Sequence, residues 1–168
     1  MPKVIEDLEL RLSEEARRQV ERSGYGALTI RSVAKACGIG VGTVYNYFPS
    51  KESLAASYML RDWEQCYSSL LAQCTEATEP KDVLQAVFQQ LCHFRQAHDG
   101  LFRDEAAKGS FSSFSGLFHG RLRQELAAPL RALCADDFTA EFLAESLLTW
   151  AVPGQDFEQL CTVLIKLI

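Results

Sequence analysis

Long hydrophobic runs are missing from this 168-residue chain, although 48% of its residues are apolar. No stretch approaches the ~20 residues a membrane-spanning helix needs, so contact with a membrane is not expected. The first residues, Met1-Pro2-Lys3-Val4-Ile5-Glu6-Asp7, show neither the basic start nor the apolar core of a secretory signal. A cytoplasmic location is the expectation. Alternating apolar and polar residues, the mark of a half-buried strand, are absent, and so is any internal repeat. The six cysteines (37, 66, 74, 92, 134 and 161) form no C-x-x-C pair and have no histidine at zinc-finger spacing. They read as small apolar residues on helix faces in a reducing compartment, with Cys92-His93 the pair closest to a redox sensor. The chain also lacks H-E-x-x-H, G-x-S-x-G, P-loop and dinucleotide fingerprints. Neither an enzyme nor a bound cofactor or metal is expected.

Positive charge is scarce as well, with a net charge of −5. Its distribution is uneven. Residues 1–60 carry eight Lys/Arg against seven Asp/Glu, whereas residues 61–168 carry nine against fifteen. Between 23 and 60 the only charged residues are Arg31, Lys35, Lys51 and Glu52. The acidic excess therefore lies outside that stretch and does not oppose an anion there. The modest total excludes a protein that coats nucleic acid non-specifically.

Within that stretch, Leu28 to Leu54 holds the densest set of local signals. Thr29 is a good N-cap, with Ile30, Val33 and Ala34 following at helical spacing. Cys37-Gly38-Ile39-Gly40 breaks this helix, because two glycines so close together favour a turn. A second short helix is predicted over Val41 to Tyr47, ended by Pro49. Two helices joined by a tight glycine-bearing turn make the helix-turn-helix plan, whose second helix enters the DNA major groove.

Gly24-Tyr25, Thr29-Ile30, Val33-Ala34, Gly38-Ile39, Gly42-Thr43-Val44-Tyr45, Tyr47-Phe48 and Ser50-Lys51-Glu52-x-Leu54 together resemble the DNA-binding domain of the tetracycline-repressor-like (TetR) family of bacterial regulators. The resemblance runs without a gap from about Leu12 to Leu54. It implies that Val41, Gly42, Thr43 and Asn46 face base edges. Asn46 is the chain's one asparagine, and an asparagine amide can pair bidentately with adenine. It further implies that Thr29, Tyr45, Tyr47 and Lys51 hold phosphates, for which hydroxyls and an ammonium are suited. Two departures stand out. Gly40 occupies a position where the family often has Ser or Thr, and Arg17 and Gln19 stand where its first helix is commonly apolar.

The rest of the chain reads as helix throughout. Leu8, Leu12, Ala16 and Val20, with Ile5 before them, lie on one face of a first helix. Ser50 caps a long helix to about Cys74, and Pro80 opens the next, which His98-Asp99-Gly100 ends. Leu101 to Ala107 suggests a short helix. Gly109 to Gly116 reads as a loop or a frayed start, and Leu117 to Leu133 as helix despite Pro129. Phe138 to Ala151 and Phe157 to Ile168 close the chain as a helix pair.

The expected architecture is all-α, with about nine helices: a three-helix helix-turn-helix domain over residues 1–50 and a helical effector-binding and dimerisation domain over residues 51–168. By the resemblance, Trp63, Cys66, Tyr67, Phe88, Leu91, Cys92, Phe118 and Leu122 lie on helices that surround an inducer pocket. Their apolar character suits a small apolar or amphipathic effector. Phe142, Leu147, Trp150, Phe157, Leu160 and Leu164 are the candidates for a homodimer interface, since two such apolar faces call for a partner. The expected function is a ligand-responsive regulator, a repressor released from double-stranded operator DNA by a small molecule. The alternative is a helical sensing module that binds small molecules without binding DNA.

Overall fold

The computed structural model describes residues 7–104, 107, 112–152 and 154–168, without the side chains of 112–115 and 117. Ile5 and Gly109, which entered the sequence reading, lie outside the described residues. Among the described residues there are nine α-helices and no strand: α1 (Leu8–Ser23), α2 (Ile30–Cys37), α3 (Val41–Tyr47), α4 (Lys51–Glu76), α5 (Pro80–Ala97), α6 (Asp99–Arg103), α7 (Ser112–Leu130), α8 (Asp137–Trp150) and α9 (Phe157–Leu164). The all-helical expectation holds. Among these residues no helix is long and apolar enough to cross a membrane.

The chain forms two compact units. One contains Met1–Arg61 with His98–Phe114, the other Asp62–Ala97 with Ser115–Ile168. In the first, Leu12 and Ala16 of α1, Val33 and Ala34 of α2, Val44 of α3 and Leu54 of α4 meet in one buried core. Gly24 and Gly38 end α1 and α2 with φ of +79° and +68°, a region where a side chain is strained. In the second unit α8 and α9 pack on α5. Its core includes Leu84, Val87 and Leu91 of α5, Leu126 and Leu130 of α7, and Leu143 and Leu147 of α8.

Helix ends are set by local chemistry. Thr29 and Ser32 form a capping box on α2: Ser32 N donates to Thr29 Oγ1 (3.0 Å) and Thr29 N to Ser32 Oγ (3.3 Å). Ser50 and Ser53 do the same at α4, each over 3.1 Å. Asp136 Oδ1 accepts from Thr139 N (2.7 Å) at the start of α8.

The stretch 109–116, read as a loop or the frayed start of the next helix, takes the second form in its described part. Residues 112–116 are the opening of α7. Serine and phenylalanine do not break a helix. The single Gly116 costs about 1 kcal/mol, which a helix continuing for fourteen further residues absorbs cooperatively. At the other end α7 runs to Leu130, one residue past Pro129, and tightens into a 3-10 turn over Arg131–Leu133. The break at His98 is a single residue wide, since α6 begins at Asp99. The last helix closes at Leu164, with Ile165–Leu167 as a 3-10 turn.

Candidate nucleic-acid interface

Helix α3 buries one side chain, Val44, and turns the rest outward. Gly42, Tyr45, Asn46 and Tyr47 are exposed, and Val41 and Thr43 are half-buried. The helix is anchored through Val44 and by Phe48, whose amide donates to Val44 O (2.9 Å). Gly40, its N-cap, offers no side chain to the first turn, where Thr43 N donates instead to Gly40 O (3.0 Å). Arg31 and Lys35 lie exposed on α2.

The polar residues of α1 that departed from the family pattern support this arrangement. Gln19 is buried and accepts from Ser32 Oγ (2.5 Å) while its amide nitrogen donates to Glu15 (2.9 Å). It therefore ties α1 to the capping box of α2. Arg17 lies over the Tyr58 ring, its guanidinium carbon 5.4 Å from the centroid.

Lys51 is placed by the turn after α1. Its ammonium sits 4.2 Å from the centroid of the buried Tyr25 ring and 3.5 Å from the Tyr25 carbonyl. The Tyr25 hydroxyl donates to Glu52 Oε1 (3.0 Å). Burial alone would raise the Glu52 pKa. Its own backbone amide, the Ser50 and Tyr25 hydroxyls and the nearby Lys51 charge outweigh that, holding the carboxyl below its ordinary value.

In the second unit the expected effector residues separate into groups. Trp63 is fully buried, stacks on Tyr67 (6.2 Å) and meets the edge of Phe94 (5.4 Å), which in turn contacts Phe118 (5.9 Å). The Trp63 indole N–H donates to the Glu125 carboxylate, and Glu125 also accepts from Arg121 Nε (2.8 Å). Phe88 instead pairs with Phe157 of α9 (5.2 Å). Leu91 and Leu122 are buried, and Cys66 and Cys92 half-buried. Sequence reasoning missed Phe94, Glu125 and Arg121 as parts of this cluster. Phe94 shares the helical spacing of Leu84, Val87 and Leu91 on α5. Nothing local announced that Glu125 would face a tryptophan 62 residues away.

All six cysteines are free; Cys161 is buried and the other five are half-buried, more exposed than expected for small core residues. Burial pushes the Cys92 thiol up, against a smaller opposing effect of Arg95, so it is not primed as a thiolate. His93 beside it is exposed.

The dimer candidates divide too. Leu147 and Leu164 are 0% and 1% exposed, packed into their own unit, so they cannot form the centre of a pairing surface. Trp150, Phe157 and Leu160 are half-buried. The outward large apolar residues of α8 and α9 are Phe142 (48%), with Phe138 and Val163, which sequence spacing did not single out, and Ile165, Leu167 and Ile168 follow them at the end of the chain.

A short helix held by one buried valine, presented after a glycine turn and backed by two capped helices, defines a helix-turn-helix protein. Residues 12–58 match the family profile described as "Bacterial regulatory proteins, tetR family". The chain's curated relatives are transcriptional regulators, not enzymes. The chain is 28% identical over 99 residues to the HTH-type transcriptional repressor KstR of Rhodococcus jostii (strain RHA1), covering 54% of this chain and 46% of that protein. It is 33% identical over 55 residues to the HTH-type transcriptional regulator UidR of Escherichia coli (strain K12), covering 33% and 28%. The matched part thus spans less than half the length of either relative. Among solved structures, Thermus thermophilus FadR, a TetR-family repressor in complex with lauroyl-CoA, superposes with a TM-score of 0.66 at 22% identity, covering 95% of this chain and 92% of that one. A TetR-family regulator from Streptomyces coelicolor gives 0.63 at 18%, covering 94% and 95%. At these identities the likeness is one of fold.

Proposed function

We propose that this protein is a cytoplasmic, dimeric transcriptional repressor that leaves its operator when a small molecule binds. The exposed face of α3 carries the reading: an uncharged helix with Gly42, Asn46, Tyr45 and Tyr47 turned outward, in a segment that matches the family's DNA-binding profile. Val41, Gly42, Thr43 and Asn46 address base edges in the major groove. Tyr45, Tyr47, Lys51 and Thr29 hold phosphates; the Thr29 oxygen caps α2 and its hydroxyl hydrogen remains for a phosphate.

DNA binding is assigned to residues 1–50, and effector binding and dimerisation to residues 51–168. The aromatic group of Trp63, Tyr67 and Phe118 supports an apolar or amphipathic effector, with Cys66 and Leu122 on the same helices and Phe88, Leu91 and Cys92 on α5. A second chain pairs through α8 and α9, which brings two copies of α3 to successive major grooves ~34–36 Å apart.

The test is selection of duplexes from a randomised pool by purified protein, followed by anisotropy titration of the selected duplex. An enriched two-fold-symmetric sequence, bound in a salt-dependent manner, is expected. Enrichment of nothing would leave the sensing module without DNA binding as the reading. Native mass spectrometry of freshly purified protein reads the effector class directly.

A further inference from the structure

The segment that follows α5 packs with the helix-turn-helix unit. His98, Leu101 and Ala107 are buried, and the His98 ring stacks on Tyr58 of α4 at 5.7 Å. Asp104, just past α6, reaches the turn between α1 and α2, 78 residues away in sequence. Its Oδ2 accepts from Gly26 N (3.2 Å) and its Oδ1 from Ala107 N (3.3 Å). One carboxylate thus joins two backbone segments. Gly26 follows Tyr25, the residue whose ring and carbonyl hold Lys51 and whose hydroxyl holds Glu52.

We propose that Asp104 is a positioning residue for the DNA face: it pins the Gly24–Gly26 turn and, through Tyr25, fixes where the Lys51 ammonium lies. Gly24 carries the imprint of this contact. Its φ of +79° already favours glycine, and a Cβ there would stand 3.3 Å from Asp104 Oδ2, so the carboxylate approaches the turn because the side chain is missing. Hydrogen bonds to a charged acceptor are stronger than neutral ones, and this one adds to the turn's own backbone bonds, Gly24 N to Val20 O (2.8 Å), Ala27 N to Gly24 O (3.3 Å) and Leu28 N to Tyr25 O (3.1 Å). The DNA-binding surface assigned above to residues 1–50 is then completed by a residue from far along the chain. This inference rests on the DNA-binding reading, and its test separates the two.

Amide hydrogen exchange over residues 24–28 and anisotropy with the duplex selected by wild-type protein are measured for Asp104→Ala and Asp104→Asn. Asp104→Ala should speed exchange in this turn about tenfold and weaken the duplex about tenfold, the size expected for one hydrogen bond to a charged group. Helix content should stay unchanged. Asp104→Asn keeps an acceptor oxygen and should restore affinity to within about threefold of wild type. Unchanged exchange in Asp104→Ala overturns the proposal, and so does faster exchange with unchanged affinity. If Asp104→Ala loses helix content, Asp104→Asn decides alone: protection at Gly26 with near-wild-type affinity supports the proposal, loss of protection there overturns it. If the wild type selects no duplex, the DNA-binding reading fails, and the exchange data still decide whether Asp104 holds the turn.

Discussion

Lys51 illustrates how one side chain serves the fold and the surface together. Its ammonium rests on the Tyr25 ring, a contact worth about 0.5–1 kcal/mol at an exposed site. An ammonium has three N–H donors, so it can hold a phosphate while it keeps its contacts to Tyr25. Lys51→Ala should therefore weaken all duplexes and flatten the log–log salt slope by about 0.9, one phosphate's worth. Asn46 stands exposed on α3, and Asn46→Ala should relax preference at one or two base pairs by about 1–3 kcal/mol while leaving the salt slope alone. Anisotropy titrations across salt concentrations distinguish the two signatures; identical slopes and preferences in both variants would rule out this face. Glu52 adds a pH prediction. Its carboxyl is held below the ordinary 4.5, so the ionised form is favoured by folding. Its contribution to stability is full above the unfolded value and disappears as pH falls through the lower folded value. Comparing urea midpoints of wild type and Glu52→Gln, the wild-type advantage should be constant above about pH 5.5 and shrink below pH 4.5. An advantage that grows on acidification would contradict the assignment.

At the scale of elements, α3 starts without a side-chain cap while α2 and α4 each carry a reciprocal serine or threonine box. Gly40 has φ −71° and ψ 144°, a conformation open to any residue, and a Cβ there would meet only Thr43 Oγ1 at 3.8 Å. Gly40→Ser should therefore add a side-chain cap without strain and stabilise the protein by a few tenths of a kcal/mol, on the order of the glycine-to-serine capping difference. A small rise in melting temperature checks it. A fall would mean that α3 needs a loose start. The Trp63–Glu125–Arg121 link is the corresponding device of the second unit. It satisfies an indole N–H in a fully buried ring by a half-exposed carboxylate that is itself neutralised by an arginine.

For the whole molecule the decisive question is which apolar residues face outward. Phe138 is 79% exposed and lies near Phe142 along α8, with Val163 outward on α9. On the proposed dimeric reading, pairing of two copies would cover this apolar surface. Phe142→Glu should leave the chain folded, convert dimers to monomers in light scattering, and abolish tight operator binding, because one α3 alone cannot span two grooves. Leu164→Glu should behave differently. It places a charge where the leucine is almost wholly buried, so it should unfold the unit, at a cost of several kcal/mol, before it reports on pairing. A Phe142→Glu protein that stays dimeric would move the interface elsewhere.

The helix-turn-helix was legible because its determinants are local. Thr29, Gly38, Pro49 and Ser50 start and stop helices through groups a few residues away, so spacing placed α2 and α3 closely, although α2 still includes Cys37, where the break was expected to begin. The amphipathic spacing of α1 and α4 likewise reported helices directly. What spacing could not supply was anything that depends on contacts across the fold. Phe142 and Leu147 stand five residues apart on one helix, both apolar, yet only Leu147 meets the core, because α8 rolls to pack on α5. Gln19 looked like a lapse in an apolar helix until Ser32 stood opposite it. The Asp104 carboxylate acquires its partner only when the chain brings Gly26 beside it, since hydrogen bonds act over about 3 Å and carry no signature along the sequence.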